Sequence, residues 1–341
     1  MDKRFWKMKQ CGKRAAALLL LFSMGMAGCA GGTPRAAGSS SDHEADLQIG
    51  FVAKSKTGDF WRLLEAGAGE EGARKNADIT FLAPESDNDA RTQIKEIQKL
   101  IDEKVDVICV SPISDEMLLP ALKDAADAGI RVIAVDTDTS LAEKETYVGT
   151  DNYAAAKAGA VRAAQTLAGK DGANAVILRG YLGDTTHDAR ESGIADGLAE
   201  NGVRVEKSIE SREATAASDV KAVLAEFPNL GLIITTSDEL TKGAYDAIAD
   251  SGRTDVKLYG FDGRTDVAKR ISADSFLIGT TAQNPGEMGK LAVDSAVSAA
   301  GGEKLPQNVY SSYEIVELDN VSEYLKQTQA LLDKLGGSAD E

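Results

Sequence analysis

The sequence predicts an α/β protein made of two similar lobes, each with a parallel, doubly wound sheet. From residue 47 onward, short apolar runs of strand length alternate with longer segments of helical periodicity. The roughly ten strands that result are more than one small sheet needs, which favours two lobes. Apolar residues make up 43% of the 341-residue chain, so each lobe has enough apolar side chains for a packed core.

The first lobe is predicted from the initial run of this alternation. Its strands are expected at 47–53, 79–83, 105–111, 131–136 and 147–149, with helices at 59–76, 87–104 and 115–128. Ile94, Ile97, Leu100 and Ile101 lie on one face of the second helix, as in an amphipathic surface helix. Gly129 follows the third helix at the position where a helix commonly ends.

The same pattern then repeats and predicts the second lobe. Strands are expected at 175–179, 203–208, 230–236, 256–261 and 277–281, followed by a single last strand at 309–318. Helices are expected at 152–168, 188–201, 218–226, 239–251, 266–273, 286–300 and 321–335. The residues alone do not show where the chain crosses from one lobe to the other.

The N-terminus has the features of an export signal. Residues 1–14 are basic, and the apolar run Ala15–Met24 is too short to span a bilayer. Met26-Ala27-Gly28-Cys29 resembles the lipobox of bacterial lipoproteins, in which the cysteine is lipidated and becomes the mature N-terminus. We therefore expect a signal peptide over 1–28, a lipid such as palmitate on Cys29, and a flexible tether over 29–46. The alternative is a buried apolar helix that ends in an unrelated cysteine, which the order of basic, apolar and small residues disfavours.

Charge and composition exclude several functions. The net charge is −16, and removal of residues 1–28 leaves 32 bases against 53 acids, which is unsuitable for binding nucleic acid. The three cysteines are not placed as a disulfide or metal set, and with two histidines a zinc site is not expected. Cys109 is interpreted as a small buried apolar residue.

The sequence also lacks the motifs of common enzymes. The loop after the first strand lacks the G-x-G-x-x-G pattern of dehydrogenases, and no G-x-S-x-G elbow occurs. A repressor would need a helix-turn-helix before residue 47, where the export signal stands. We therefore expect a binding protein without a cofactor or metal, and not an enzyme.

Polar residues follow several predicted strands, at the sheet edge where ligands of α/β proteins bind. Lys54 follows the first strand, with Phe60 and Trp61 at the start of the next helix. The others at or near strand ends are Asp136, Arg190, Ser237, Asp262 and Gln283. Carboxylates, guanidinium and amides bind hydroxyls, and aromatic rings cover the apolar face of a pyranose, so this set favours a polyol.

Each of these residues also has a structural interpretation. Asp136 and Asp262 could be helix N-caps, and Arg190 could form an exposed ion pair. Phe60 or Trp61 could belong to the core, and Lys54 could be solvated. Their shared position beyond strand ends is what favours a binding site.

Several stretches resemble the type I periplasmic sugar-binding proteins of the ribose-binding family, over about residues 47–318. They are FVAKSKTGDFW (51–61), GIRVIAVDTD (129–138), LYGFDG (258–263), TTAQNPGEMG (280–289) and TDNYAAAKAG (150–159), which resembles the first hinge crossing of the family. Lys54, Phe60, Trp61 and TTAQNP are most similar to the D-allose-binding members.

The resemblance implies two Rossmann-like lobes joined by three hinge strands, with the ligand in the cleft. One lobe would comprise 47–150 and 284–309, the other 151–283 and 310–319, with a C-terminal helix and tail over 320–341. The cleft would be lined by Lys54, Phe60, Trp61, Asp136, Arg190, Ser237, Asp262 and Gln283.

Three departures from the family pattern leave the ligand open. Gly58-Asp59 replaces an Asn-Pro, Thr137 replaces an Arg, and Ser237 replaces an Asn. The two lost amides leave room for a larger or differently hydroxylated ligand.

The function implied is that of an exported, lipid-anchored, monomeric receptor on the extracytoplasmic face of a bacterial membrane. It would deliver a monosaccharide or polyol to an ABC permease, and only its lipid would contact the membrane. The alternative is a receptor for a signal, such as a sugar or autoinducer-2, that feeds a sensor kinase or chemoreceptor.

Overall fold

The computed structural model describes residues 47–336, except Asp87, Lys170 and Asp171. Within this range, the chain forms two six-stranded sheets with helices between the strands. The predicted signal peptide (1–28), the tether with Cys29 (29–46) and the end of the predicted tail (337–341) lie outside the described residues. None of the helices described is long and apolar enough to cross a membrane.

The chain first builds the strands and helices of lobe 1. These are β1 (Leu47–Val52), α1 (Asp59–Lys75), β2 (Ala77–Leu82), α2 (Ala90–Glu103), β3 (Val107–Val110), α3 (Asp115–Asp127), β4 (Arg131–Val135) and β5 (Thr146–Thr150).

It then builds most of lobe 2. The elements are α4 (Asn152–Gln165), β6 (Asn174–Arg179), α5 (Thr185–Glu200), β7 (Arg204–Glu210), α6 (Ala216–Glu226), β8 (Leu232–Thr235), α7 (Asp238–Ser251), β9 (Lys257–Asp262), α8 (Thr265–Ile271) and β10 (Leu277–Gln283).

The last part of the chain completes both lobes. Its elements are α9 (Pro285–Ala300), β11 (Asn308–Ser311), β12 (Tyr313–Glu317) and α10 (Val321–Gly336). The strand order is β11-β5-β4-β3-β1-β2 in lobe 1 and β12-β10-β9-β8-β6-β7 in lobe 2. All pairings are parallel except that of β10 with β12. The predicted two-lobed α/β fold is confirmed.

Both faces of each sheet are covered, which explains the continuous apolar runs in the sequence. In β6, Ala175 and Ile177 pack into one core cluster of lobe 2, and Val176 and Leu178 pack into the other. On α2 of lobe 1, Ile97 and Leu100 are fully buried. Burial of a side chain of this size contributes about 1.5–3 kcal/mol.

The prediction of one last strand at 309–318 is wrong, because Ser312 divides it into two strands that belong to different sheets. β11 pairs with β5 in lobe 1, and β12 pairs with β10 in lobe 2. The backbone N–H of Ser312 donates to the Glu287 carboxylate over 2.8 Å, and its hydroxyl binds the same oxygen. The Glu287 carboxylate thus satisfies the N–H that a strand neighbour would otherwise accept from.

Two helices begin at other residues than predicted, because an aspartate caps each of them. Asp89 accepts from the Thr92 N–H, so α2 begins at Ala90 instead of residue 87. Asp184 accepts from the backbone N–H groups of Thr186 and His187, so α5 begins three residues before the predicted start.

The chain passes between the lobes three times in the described part, and the three crossings are hydrogen-bonded to one another. They follow β5, β10 and β11. The Thr150 hydroxyl at the first crossing donates to Gln283 Oε1 at the second, over 2.8 Å. Asn284 at the second donates to the Ser312 hydroxyl at the third, over 3.1 Å. The hinge is therefore one connected unit.

In lobe 1, α1 and α9 pack so closely that glycine is required at the contact. A Cβ on Gly67 would lie 1.9 Å from the Gly286 carbonyl oxygen. We expect Gly67→Ala to lower the free energy of unfolding by about 1–3 kcal/mol, because the helices must separate. Urea denaturation followed by circular dichroism would measure this.

Gly69→Ala is the matched control, since Gly69 lies in the same helix and a Cβ there would meet no atom within 4 Å. This variant should be neutral or more stable by up to about 1 kcal/mol, through helix propensity. Equal effects of the two variants would contradict the close contact.

Candidate functional site

Five of the predicted site residues lie at or just after the carboxyl ends of strands, in both sheets. Lys54 and Asp136 follow β1 and β4 of lobe 1. Asp262 and Gln283 end β9 and β10 of lobe 2, and Ser237 follows β8. Because ligands of open α/β sheets bind at these ends, the cleft between the lobes is the candidate site.

In lobe 1, Asp136 holds Lys54 close to the cleft. Lys54 Nζ lies 3.7 Å from Asp136 Oδ2. The backbone of Asp136 has a φ of 63°, and its carbonyl accepts from the Tyr147 hydroxyl over 2.8 Å. A left-handed aspartate persists only where its surroundings hold it. No helix follows β4 directly, so Asp136 is not the helix cap of the alternative interpretation.

The two aromatic rings lie in the first turn of α1. Their centroids are 4.9 Å apart at an interplanar angle of 76°, an edge-to-face arrangement. Both Phe60 and Trp61 are half-buried and pack against the core of lobe 1. Each ring therefore contributes to the core, and part of its surface is left exposed.

In lobe 2, the Asp262 carboxylate is the centre of a hydrogen-bond network. Its Oδ1 accepts from Arg190 Nη1 over 3.0 Å and from Gln283 Nε2 over 2.9 Å. Its Oδ2 accepts from the Asp238 N–H over 3.2 Å. Asp262 is thus not the N-cap residue of α7 or α8, which are Ser237 and Arg264, although one of its oxygens accepts from the first N–H of α7.

Arg190 is buried, so the interpretation as an exposed ion-pair partner is wrong. Besides Asp262, it donates to Asn152 Oδ1 over 2.8 Å and to the Thr236 carbonyl over 2.9 Å. Its guanidinium carbon lies 4.0 Å from the centroid of the Phe261 ring, as in a cation–π contact. These contacts fix the guanidinium in one orientation.

Ser237 is buried at the start of α7, and its side chain does not cap that helix. The next residue, Asp238, is also buried and accepts from the N–H groups of Gly263 and Arg264 and from the hydroxyls of Thr241 and Thr280. Burial and the nearby Asp262 charge still raise the pKa of Asp238 to about 8.

Charged groups of the two lobes are close enough to affect each other's titration. Burial is the main cause that raises the pKa of Asp262, and the charge of Asp136 in lobe 1 raises it further. Arg190 acts in the opposite direction. The Lys54–Asp136 pair of lobe 1 therefore contributes to the electrostatics of the Arg190–Asp262 pair of lobe 2.

His187 was not predicted as a site residue, yet it lies in this cluster. Its Nδ1 is 2.8 Å from the Thr236 hydroxyl. Burial lowers the pKa of His187 to about 4, and the nearby Arg190, Arg179 and Lys54 charges contribute to this shift. The position of His187 one helical turn before Arg190 could have identified it. Asn152 and Thr150 were also missed as partners, although both lie at the predicted first crossing.

The neutral state of His187 should make stability depend on pH. Its pKa of about 4 in the folded chain is below the usual 6.5, so the unfolded chain binds more protons between these values. The stability is therefore fully present above about pH 6.5 and lost as the pH falls towards 4, by at most about 3 kcal/mol. Urea denaturation at pH 7, 5.5 and 4.5 would measure this loss.

The variant His187→Gln isolates this contribution from those of the carboxylates, because it cannot gain a proton. We expect a smaller fall in stability for the variant than for the unchanged chain over the same pH range. Equal slopes would show that His187 is not held neutral in the fold.

Comparison with known proteins identifies the family of the chain. The model of a periplasmic binding protein domain matches residues 49–304. The ribose import binding protein RbsB of Bacillus subtilis is 26% identical over 301 residues, which cover 87% of this chain and 96% of that protein. The xylitol-binding protein of Mycolicibacterium smegmatis is 29% identical over 226 residues, which cover 65% of this chain and 64% of that protein.

Solved structures share the fold over the same region. A solute binding protein of an ABC transporter from Burkholderia graminis, in complex with D-arabinose, has a TM-score of 0.71 and 25% identity. The match covers 82% of this chain and 98% of that one. The expectation of a binding protein instead of an enzyme is confirmed. The chain belongs to the periplasmic binding protein family, and its place of action is extracytoplasmic.

Proposed function

We propose that the protein is the substrate-binding lipoprotein of an ABC importer and that it binds a monosaccharide or related polyol between its lobes. The relatives named for ribose, xylitol and D-arabinose support this ligand class. The predicted lining residues Lys54, Phe60, Trp61, Asp136, Arg190, Ser237, Asp262 and Gln283 would make the contacts.

The charge balance of the cleft is the observation that supports a neutral polyol most directly. Lys54 is paired with Asp136 in one lobe, and Arg190 is paired with Asp262 in the other. Each cation thus already has its counter-ion, so a sugar phosphate or sugar acid would meet no unpaired positive charge among these residues. A neutral hydroxyl, by contrast, can donate to a carboxylate and accept from a cation at the same time.

The aromatic pair supports a ring-shaped ligand. Sugars present an apolar C–H face that an aromatic ring can cover. The half-buried rings of Phe60 and Trp61 lie in the first turn of α1. Micromolar affinity corresponds to about −8 kcal/mol, which a few charge-assisted hydrogen bonds and one stacked ring can supply.

Closure of the lobes about the hinge would complete the site. Asp59 of α1 accepts from the Thr265 hydroxyl of α8 over 2.7 Å, which joins the two lobes beside the aromatic pair. A ligand that contacts both lobes binds the closed arrangement better and increases its population.

Isothermal titration calorimetry against pentoses, hexoses, inositols and pentitols would test the ligand class. The protein should first be unfolded, dialysed and refolded to remove any copurified ligand. We expect micromolar or tighter binding of at least one member of the panel. Absence of binding by every member would contradict the sugar assignment.

We expect Trp61→Ala to weaken binding by about 1–3 kcal/mol, through lost stacking and burial. Calorimetry with the best sugar of the panel would measure this, together with the urea midpoint of the same variant. Trp61→Phe keeps a ring and should recover part of the affinity. A loss of stability without a loss of affinity would show that Trp61 belongs to the core alone.

The lipid anchor rests on the sequence Met26-Ala27-Gly28-Cys29. Metabolic labelling with palmitate should mark the full chain in a bacterial host, and Cys29→Ser should abolish the label and release the protein from the membrane.

A monomer is proposed because both lobes must contact a permease. Neighbouring genes would separate transport, with a permease and an ATPase, from the alternative of sensing, with a histidine kinase.

A further inference from the structure

The C-terminal helix α10 follows the part of the chain that matches the family model, and it packs against both lobes. Val321, Thr328 and Leu332 are buried along one face. Tyr324 and Leu325 pack against a core cluster of lobe 2. The helix contacts α8 in lobe 2 and α1 in lobe 1. Its position is therefore fixed relative to the cleft.

The turn that carries Asp262 has an unusual backbone. Asp262 has a φ of 119° and Gly263 a φ of 79°, so two consecutive residues have positive φ. A residue with a side chain is strained in such a conformation and keeps it only where its surroundings hold it there. The Asp262 carboxylate, and with it the Arg190 network, depends on this turn.

Two groups hold the turn from opposite directions. The Asp238 carboxylate accepts from the N–H groups of Gly263 and Arg264, over 3.0 and 2.8 Å. The Gly263 carbonyl accepts from the Tyr324 hydroxyl of α10. The turn is thus bound through its N–H groups from within lobe 2 and through its carbonyl from the C-terminal helix.

The turn also has little room to move. A Cβ on Gly263 would lie 2.3 Å from the Ala282 Cβ and 2.7 Å from the Tyr324 hydroxyl. Gly263 therefore lies tightly between β10 and Tyr324. Since Gln283, the neighbour of Ala282, donates to Asp262, the same contact fixes both residues of that pair.

Tyr324 is suited to act as a permanent donor. Burial raises the pKa of its hydroxyl, so the group stays protonated at neutral pH. The ring of Tyr324 packs against the core of lobe 2, and its hydroxyl donates to the Gly263 carbonyl.

We propose that Tyr324 is a positioning residue of the ligand site, which holds the Asp262–Gly263 turn in the conformation that presents the Asp262 carboxylate. This inference rests on the proposed function. It makes α10 part of the binding apparatus, although α10 lies beyond the matched family domain.

The test compares Tyr324→Phe with Tyr245→Phe. Tyr245 packs against the same core cluster, and its hydroxyl binds Asp274 instead of the turn. Each variant loses one hydroxyl and keeps its ring. We expect Tyr324→Phe to raise the Kd for the best sugar of the panel by about 5- to 20-fold, and Tyr245→Phe to change it less than twofold, by calorimetry.

A double-mutant cycle separates positioning from general destabilisation. In the Asp262→Asn background, Tyr324→Phe should change the Kd less than twofold, because its effect acts through the Asp262 carboxylate. A loss of affinity of the same size in both backgrounds would overturn the proposal. So would an unchanged Kd for Tyr324→Phe alone.

A measurement without ligand keeps the inference testable if no sugar binds. Amide hydrogen exchange of Gly263 and Arg264 should be at least tenfold faster in Tyr324→Phe than in Tyr245→Phe, since the carbonyl anchor of the turn is lost. Equal exchange in the two variants would overturn the positioning role. Faster exchange without sugar binding would instead count against the proposed ligand class alone.

Discussion

The buried carboxylate of Asp262 is the interaction on which the second half of the cleft depends. Its partners Arg190, Gln283 and Asp238 come from α5, β10 and α7, so one side chain joins three elements. Gln283 in turn accepts from Thr150 at the first crossing. The network therefore extends from the candidate site to the first and second crossings between the lobes.

Buried charge of this kind is costly unless every member is satisfied. Removal of one partner from a buried ion pair typically costs about 3–5 kcal/mol, because the other charge is left alone in a medium of low dielectric constant. The buried charge of Arg190 is satisfied by three hydrogen-bond partners and by its contact with the face of the Phe261 ring. The same residues thus stabilise lobe 2 and present polar atoms to the cleft, so affinity and stability must be measured together in any variant of them.

Much of the fold and part of the site could be predicted, because both follow from local patterns. The β/α alternation predicted the sheets, and the predicted strand ends placed Asp136 after β4 of lobe 1 and Asp262 and Gln283 at the ends of β9 and β10 of lobe 2. Distant partners could not be predicted: Glu287 divides the last strand at Ser312, 25 residues away, and Tyr324 reaches Gly263 across 61 residues. The spacing of His187 from Arg190 could have indicated its place in the cluster, but its contact with Thr236, 49 residues away, could not have been predicted.

The threefold crossing of the chain has a consequence for how the protein is made. Lobe 1 needs α9 against α1 and β11 beside β5, and both segments follow the whole of β6–β10. During synthesis, lobe 1 therefore remains incomplete, with α1 and the edge of β5 uncovered. It can be completed only after more than 150 further residues have been added to the first 150. Such long-range pairing slows folding and exposes apolar surface in the meantime. Neither lobe can therefore be completed before the last segments of the chain, because β11 completes the sheet of lobe 1 and β12 then completes that of lobe 2.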